Sequence, residues 1–244
     1  MEKVFLVMPA YNEEANIEAT LRQWHPVAAW LAEMGAEAHI LVANDGSTDG
    51  TLAVLRRLAS SGCFPRLEVV DKPNSGHGAT VRSLYARALA GGADFVFQTD
   101  SDGQTDPDQF WPLWERRADY DFLIGSRLGR QDGAGRVFVT RVLRLVVWAT
   151  FGVWVADANT PFRLMRAEAL REVLGVVPAD FFLCNVAVSA VAVKWRKRVR
   201  FVPITFRPRQ GGVNSINMRR IVKIGLKAVG DFVSINRKLG RYGK

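Results

Sequence analysis

The sequence predicts an α/β fold built on a mostly parallel sheet flanked by helices, and three observations carry that expectation. Short apolar runs rich in Val, Ile, Leu and Phe alternate with stretches whose apolar residues recur at helical spacing. This β-then-α pattern repeats four times within about the first 125 residues, the mark of a doubly wound sheet. Each early apolar run also breaks off in a polar cluster, where such sheets place their βα loops. No linker is strong enough to divide the 244 residues into independent folding units.

Taken in order, Val4 to Met8 reads as the first strand, and Pro9-Ala10-Tyr11-Asn12-Glu13-Glu14 as the loop opening a helix. That helix runs to about Glu33, with Pro26 as a point of interruption and Gly35 closing it. His39 to Ala43 is the second strand, ended by Asn44-Asp45-Gly46-Ser47, with Ser47 or Thr48 able to cap a helix carrying Leu52, Leu55 and Leu58. Leu67 to Val70 is the third strand, and Lys72-Pro73-Asn74-Ser75-Gly76-His77-Gly78 leads into a helix through Leu89. Phe95-Val96-Phe97 opens the fourth strand, followed by a helix over Pro107 to Arg116 and a strand from Phe122 to Gly125. Beyond this the pattern loosens. Val137 to Val155 is an apolar helix candidate, Asp157 to Met165 a turn into a strand, Ala179 to Val193 a helix and Phe201 to Phe206 a strand. Arg207 to Asn214 reads as a loop and Asn217 to Leu239 as a basic amphipathic helix. The expected organisation is a catalytic domain over 1–216 with a C-terminal helix over 217–244, either part of that domain or a peripheral membrane contact.

Composition is that of an ordinary globular protein, 48% hydrophobic and 23% charged, but Lys and Arg outnumber Asp and Glu by 33 to 24. A net charge of +9 favours an anionic partner: nucleotide, nucleic acid or membrane phosphate. Two cysteines, Cys63 and Cys184, form no metal-ligand spacing and no disulfide framework, so a reducing cytoplasm is expected. The N-terminus does not read as a signal peptide. The longest uncharged apolar run, Leu145 to Ala156, is shorter than the roughly 20 residues a bilayer span requires. The chain is therefore expected either free in the cytoplasm or peripheral on the cytoplasmic face of a membrane.

The chemistry concentrates in Gln98-Thr99-Asp100-Ser101-Asp102-Gly103-Gln104. Two carboxylates at i, i+2 after a buried strand suit Mg²⁺ or Mn²⁺, which keeps part of its coordination shell for phosphate oxygens. Asp and Gly are also ordinary turn residues, and the company of this stretch decides between the readings. The clusters at 9–14, 44–49, 72–78 and 100–104 all fall beyond predicted strand carboxyl ends, where open α/β sheets bind ligands. Their convergence predicts a nucleotide site, in which Tyr11 can lie against a base and Asp45 can accept a bond from base or ribose.

With those residues in view the chain resembles the family 2 glycosyltransferases of the GT-A fold, most of all the polyprenyl-phosphate sugar synthases, over roughly positions 4 to 216. Met8-Pro9-Ala10-Tyr11-Asn12-Glu13 is similar to the family's first-strand signature, which holds base and ribose. Asn44-Asp45-Gly46-Ser47 resembles the second nucleoside motif, and Asn74-Ser75-Gly76-His77-Gly78 the Gly-rich loop, with His77 where a basic residue is commoner. The resemblance implies Asp102 and Gln104 as metal ligands, with Asp100 close to metal or ribose and Ser101 between them. Gly125-Ser126-Arg127 matches a motif whose arginine faces the phosphates. Arg136 and Thr140 share the spacing of an acceptor-phosphate pair. Asp157 with Thr160-Pro161-Phe162-Arg163 resembles a donor-side segment, Pro161 replacing the usual glycine. Arg209, Gly212 and Ser215 resemble a distal loop closing over the diphosphate.

The implied activity is inverting transfer of a hexose from a GDP- or UDP-sugar to a polyprenyl phosphate, with Mg²⁺ or Mn²⁺. A phosphate acceptor is already ionised near neutral pH and needs no strong base. A soluble relative using a sugar, small-molecule or protein hydroxyl would need one, and Asp180 is the sole carboxylate between Val176 and Lys197. Asp180 is open to either role, base or helix cap. A nucleotidyltransferase and a non-catalytic nucleotide- or nucleic-acid-binding module are the other classes, although no RNA-binding motif is recognisable and no nucleic-acid partner is expected. His25 and His39 read as structural. Arg136, Arg141 and Arg144 are compatible with a solvated helix face, and Trp148 and Trp154 with core or with a membrane interface. Arg219, Arg220, Lys223, Lys227, Arg237, Lys238 and Arg241 suit a solvated face or anionic lipid.

Overall fold

The computed structural model describes residues 1–127, 134–207 and 228–239, with the backbone alone over 134–139. Among these residues one sheet contains β1 (Lys3–Ala10), β2 (Glu37–Asp45), β3 (Leu67–Lys72), β4 (Phe95–Gln98), β5 (Phe122–Arg127), β6 (Arg163–Arg166) and β7 (Val199–Ile204). The order is β3-β2-β1-β4-β6-β5-β7. All neighbours run parallel except β6, which lies antiparallel between β4 and β5, with Gln98 and Ile124 both in register with Arg163. The helices are α1 (Ile17–Glu33), α2 (Thr51–Ser60), α3 (His77–Ala90), α4 (Trp111–Glu115), α5 (Ala134–Phe151), α6 (Ala167–Leu174) and α7 (Cys184–Lys194).

Period-two alternation feeds a core on each side of the sheet. Val4, Leu6 and Met8 of β1 point to the side covered by Leu21, Trp24 and Leu31 of α1. Phe5 and Val7 point to the other side, against Val81, Leu84 and Ala88 of α3 and the buried apolar residues of α7. On the first side Trp24, Phe97, Phe110 and Phe162 form an aromatic knot with centroids 4.9 to 6.1 Å apart. α7 is buried from Cys184 through Ala192, as an apolar helix without a polar face must be. Burial pushes the Cys184 thiol up to about 12, which leaves it inert.

Several local expectations are corrected. Pro26 does not interrupt α1; it lies on the solvent side of the helix, where the carbonyl it leaves unpaired can be hydrated. The expected helix over 107–116 divides into a 3-10 turn, Pro107–Phe110, and the short α4. α6 was not anticipated, although Leu170, Val173 and Leu174 bury at helical spacing. α7 begins at Cys184, well past Ala179, and its N-cap is Leu183. Asp180 is exposed and does not cap it. Residues 228–239 are helical, and Phe232 there meets Phe151 and Phe181 with ring centroids 5.5 and 5.4 Å away.

Candidate active site

The sheet order reverses at β1, which has β2 on one side and β4 on the other. Beyond the carboxyl ends of these strands lies a cavity of about 500 Å³, the position at which open α/β sheets bind ligands. Each of the four predicted polar clusters contributes to its wall.

From β1 come Pro9, Ala10, Tyr11 and Glu13. Tyr11 is half exposed, a ring available to stack on a flat base. Asn12 takes a left-handed φ of 53°. Its side chain accepts from the Thr48 N–H at 2.8 Å, and its own N–H donates to Ser47 Oγ at 3.0 Å. Asn12 and Ser47 therefore stitch the first two loops together and do not line the cavity. Gly46 is also outside the wall; with φ at +63°, a Cβ there would stand 2.6 Å from the Asn74 nitrogen. The Glu13 N–H donates to Thr51 Oγ1 at 2.8 Å, and its carboxylate accepts from Asn16 at 2.8 Å.

Asp45, at the end of β2, is buried and pairs with Lys72, which faces it in register at the end of β3. It also accepts the N–H groups of Ser75 at 2.8 Å and Gly76 at 2.9 Å. Asp45 thus lines the cavity with Asn74 and Gly76 while tethering their loop. Burial opposes its ionisation, but Lys72 and the Ser75 N–H outweigh that and lower its pKa. A carboxylate whose folded pKa is depressed contributes stability above its unfolded pKa, near 4, and loses it as pH falls through the folded value. The difference in unfolding free energy between the parent and Asp45→Asn is therefore expected to narrow below about pH 4, as urea titrations across that range will show. Lys72 and Thr80, the latter also in the wall, were not singled out in the sequence. Lys72 was accessible as the cation opposite Asp45 once the register of the two strands was known.

α3 starts at the cavity, its first turn supplying Gly76, His77 and Thr80. Gly76 adopts a φ of 85° as the N-cap, and the helix directs its positive end toward the space that phosphates would fill. Gly78 lies behind the wall, where a Cβ would collide with the backbone carbonyls of Phe181 and Phe182. Backbone cannot yield as a side chain does. Gly78→Ala is expected to destabilise by about 1–3 kcal/mol, read as a lower thermal midpoint; an unchanged midpoint would refute that packing.

The turn after β4 is pinned at three points. Thr99 Oγ1 meets Thr105 Oγ1 at 2.6 Å, Ser101 Oγ donates to the Pro9 carbonyl at 2.8 Å, and Thr20 Oγ1 donates to the Ser101 carbonyl at 3.1 Å. Gly103 completes the turn with a φ of 71°. The result places Asp100, Ser101 and Asp102 in the wall. His77 Nε2 lies 3.3 Å from Asp100 Oδ1. Desolvation works against protonated His77, but Asp100, with a smaller contribution from Asp102, raises its pKa above the usual histidine value. Asp100 and Asp102 are hard oxygen donors of the kind a divalent cation takes while completing its shell with phosphate oxygens, although among the described residues no cluster of three or more His, Cys, Asp or Glu side chains gathers to hold one. Gln104 stands apart from this group: its Nε2 donates to the Arg207 carbonyl at 2.9 Å and its N–H to Asp102 Oδ1 at 3.1 Å. It does not line the cavity.

The arginines are placed differently from what the resemblance implied. Arg127 forms a two-bond fork with Asp157, Nε and Nη2 each 2.8 Å from a carboxylate oxygen, with both side chains nearly buried. Its guanidinium is committed to that pair rather than aimed at a phosphate. Arg163 is fully buried, its guanidinium donating to the carbonyls of Ala158, Thr160 and Asn185 and to Ser189 Oγ. Burial lowers its pKa, and it braces the interior beneath the site. Asp180 is exposed and is not part of the wall. Thr140 lies half-buried on α5, apart from the cavity. The Arg136 side chain, Arg209, Gly212, Ser215, Arg219, Arg220, Lys223, Lys227 and Arg241 lie outside the described residues.

A sheet of this order, with carboxylates and a helix N-terminus gathered at its switch point, defines an α/β protein with its crevice where such sheets bind ligands. Residues 5–174 match Glycosyl transferase family 2, and the chain belongs to that family. Membership of that family favours sugar transfer over the nucleotidyltransferase and binding-module readings. The undecaprenyl-phosphate mannosyltransferase of Micrococcus luteus is 26% identical over 224 residues, 88% of each chain. An undecaprenyl-phosphate 4-deoxy-4-formamido-L-arabinose transferase of Pseudomonas aeruginosa is 29% identical over 184 residues, 75% of this chain. The chain spans 52% of the length of that relative. Among solved structures, glucosyl-3-phosphoglycerate synthase of Mycobacterium tuberculosis, in complex with Mn²⁺, UDP and glucosyl-3-phosphoglycerate, superposes with a TM-score of 0.67 at 19% identity. The match covers 96% of this chain and 80% of that one, and establishes the GT-A-like fold.

Proposed function

We propose that the chain transfers a sugar from a nucleotide-sugar to a polyprenyl phosphate in a single inverting displacement, aided by Mg²⁺ or Mn²⁺. The observation that carries this reading is the convergence of Tyr11, Asp45, Asp100 and Asp102 on one cavity beside the first turn of α3. The similarity to transferases named for undecaprenyl phosphate supports the acceptor class.

Tyr11 would lie against the base, and the loop tethered by Asp45 would flank the nucleoside. The positive end of α3 would face the diphosphate. Asp100 and Asp102 would hold the cation, which supplies charge neutralisation to the departing nucleoside diphosphate. The acceptor phosphate oxygen bonds to the anomeric carbon as the bond from that carbon to the donor diphosphate breaks, and the electron pair leaves with the nucleoside diphosphate. A phosphate monoester, with its second pKa near 6, arrives ionised. The exposed position of Asp180 away from the cavity is consistent with a reaction that needs no strong base. The acceptor places the work at a membrane surface.

The test is a screen of GDP- and UDP-sugars with a short polyprenyl phosphate and Mg²⁺ or Mn²⁺, following release of the nucleoside diphosphate and the glycolipid. Transfer from one donor to the lipid phosphate supports the reading. Failure with every donor, together with transfer to hydroxyl acceptors, would replace it with the hydroxyl-using alternative.

A further inference from the structure

A helix on the surface of a globular protein normally turns polar side chains outward, and α5 does not. Its inner face packs Val147 and Phe151 into the core, while Val142, Leu145 and Trp148 remain exposed by 41%, 56% and 55%. Arg141, Leu145 and Trp148 follow the i, i+4, i+7 spacing of a single helix face. The loop after α5 adds Trp154, also exposed. Arg144 binds the Ala156 carbonyl and lies over the Trp154 ring at 5.3 Å, which fixes that indole beside the helix. The helix at 228–239 contributes exposed Val229, one turn before the Phe232 that meets Phe151.

Charge identifies what covers this face. From Ala134 to Ala156 there is no Asp or Glu, and the arginines are Arg136, Arg141 and Arg144. Apolar side chains and indoles fringed by arginines match the boundary between acyl chains and anionic headgroups. Among the described residues no helix is long and apolar enough to cross a bilayer, so the face would lie on the surface. Its position is also informative. Trp154 precedes Asp157 by three residues, at most about 11 Å of chain, and Asp157 holds Arg127 at the carboxyl end of β5. The cavity opens at that end of the sheet.

The geometry points to the outer face of α5, with Trp154, as the surface by which this enzyme docks on an anionic lipid bilayer. The inference deepens the proposed function, which rests on a membrane-resident acceptor, and it assigns the residues that would bring the cavity to that acceptor.

Co-sedimentation with vesicles tests it without donor or acceptor. The probes are vesicles of phosphatidylcholine alone and of phosphatidylcholine with one quarter phosphatidylglycerol. The parent is expected to pellet with the anionic vesicles. Leu145→Ser/Trp148→Ser should reduce partitioning by more than about tenfold, and Arg141→Gln by roughly fivefold. Both variants should keep the parent's thermal midpoint and its activity toward a detergent-dispersed short-chain acceptor. A parent that stays in the supernatant overturns the inference, whatever the transfer assay shows. So does a parent dimer that Leu145→Ser/Trp148→Ser converts to monomer without any vesicle binding, since the face would then belong to a second copy. Binding to anionic vesicles combined with no transfer to polyprenyl phosphate would keep the docking face and discard the acceptor.

Discussion

Asp102→Ala is expected to lower kcat/KM for sugar transfer by roughly a thousandfold, about 4 kcal/mol of transition-state stabilisation, while the protein remains folded. The two halves of that result have separate causes. The turn is held by Thr99 to Thr105, by Ser101 to the Pro9 carbonyl and by Thr20 to the Ser101 carbonyl. Asp102 accepts the Gln104 N–H at 3.1 Å, and none of the three pins passes through its carboxylate. Its carboxylate lines the cavity, where its proposed part is charge neutralisation at the diphosphate. Steady-state kinetics beside a Mn²⁺-binding measurement separates the contributions: affinity for Mn²⁺ should fall with activity. Retained turnover would move the metal corner away from this turn.

Arg127→Ala is expected to behave in the opposite way, as a stability mutant first, losing about 3 kcal/mol. The fork to Asp157 is 10% and 7% exposed for the two side chains, so removing the arginine takes two charge-assisted bonds from a nearly buried carboxylate. The loss of both bonds at a nearly buried site sets the cost. Arg127→Leu/Asp157→Leu should recover part of the loss, because both members of the nearly buried pair are replaced together. Urea unfolding of the parent, single and double variants measures this directly. If Arg127→Ala proved as stable as the parent but lost catalysis, the arginine would belong to the phosphates, as the sequence motif implied.

Asp100-Ser101-Asp102 was legible because an apolar β run ending in two carboxylates is a local signal, and strand ends at a switch point are where ligands bind. Asp45 and Tyr11 were legible for the same reason. Gln104, Arg127 and Arg163 followed motif resemblance into the site, and the structure gives each another partner: the Arg207 carbonyl, Asp157 and a set of buried carbonyls. Lys72 stood in the 72–78 cluster, but its pairing with Asp45 comes from register across two strands.

The chain's own pattern determined the α/β class, the succession of strands and helices through β5, the family and the carboxylate turn. Each depends on interactions between residues near one another in sequence, or on a motif preserved as a string. Only the tertiary structure decided that β6 enters antiparallel between β4 and β5, that α6 exists, and that Arg127 pairs with Asp157 and Arg163 with buried carbonyls. It also decided that the apolar residues of α5 face both the core and the outside. Those outcomes rest on pairings between residues distant in the chain, where burial and charge neutralisation select the partner and no local propensity records the choice.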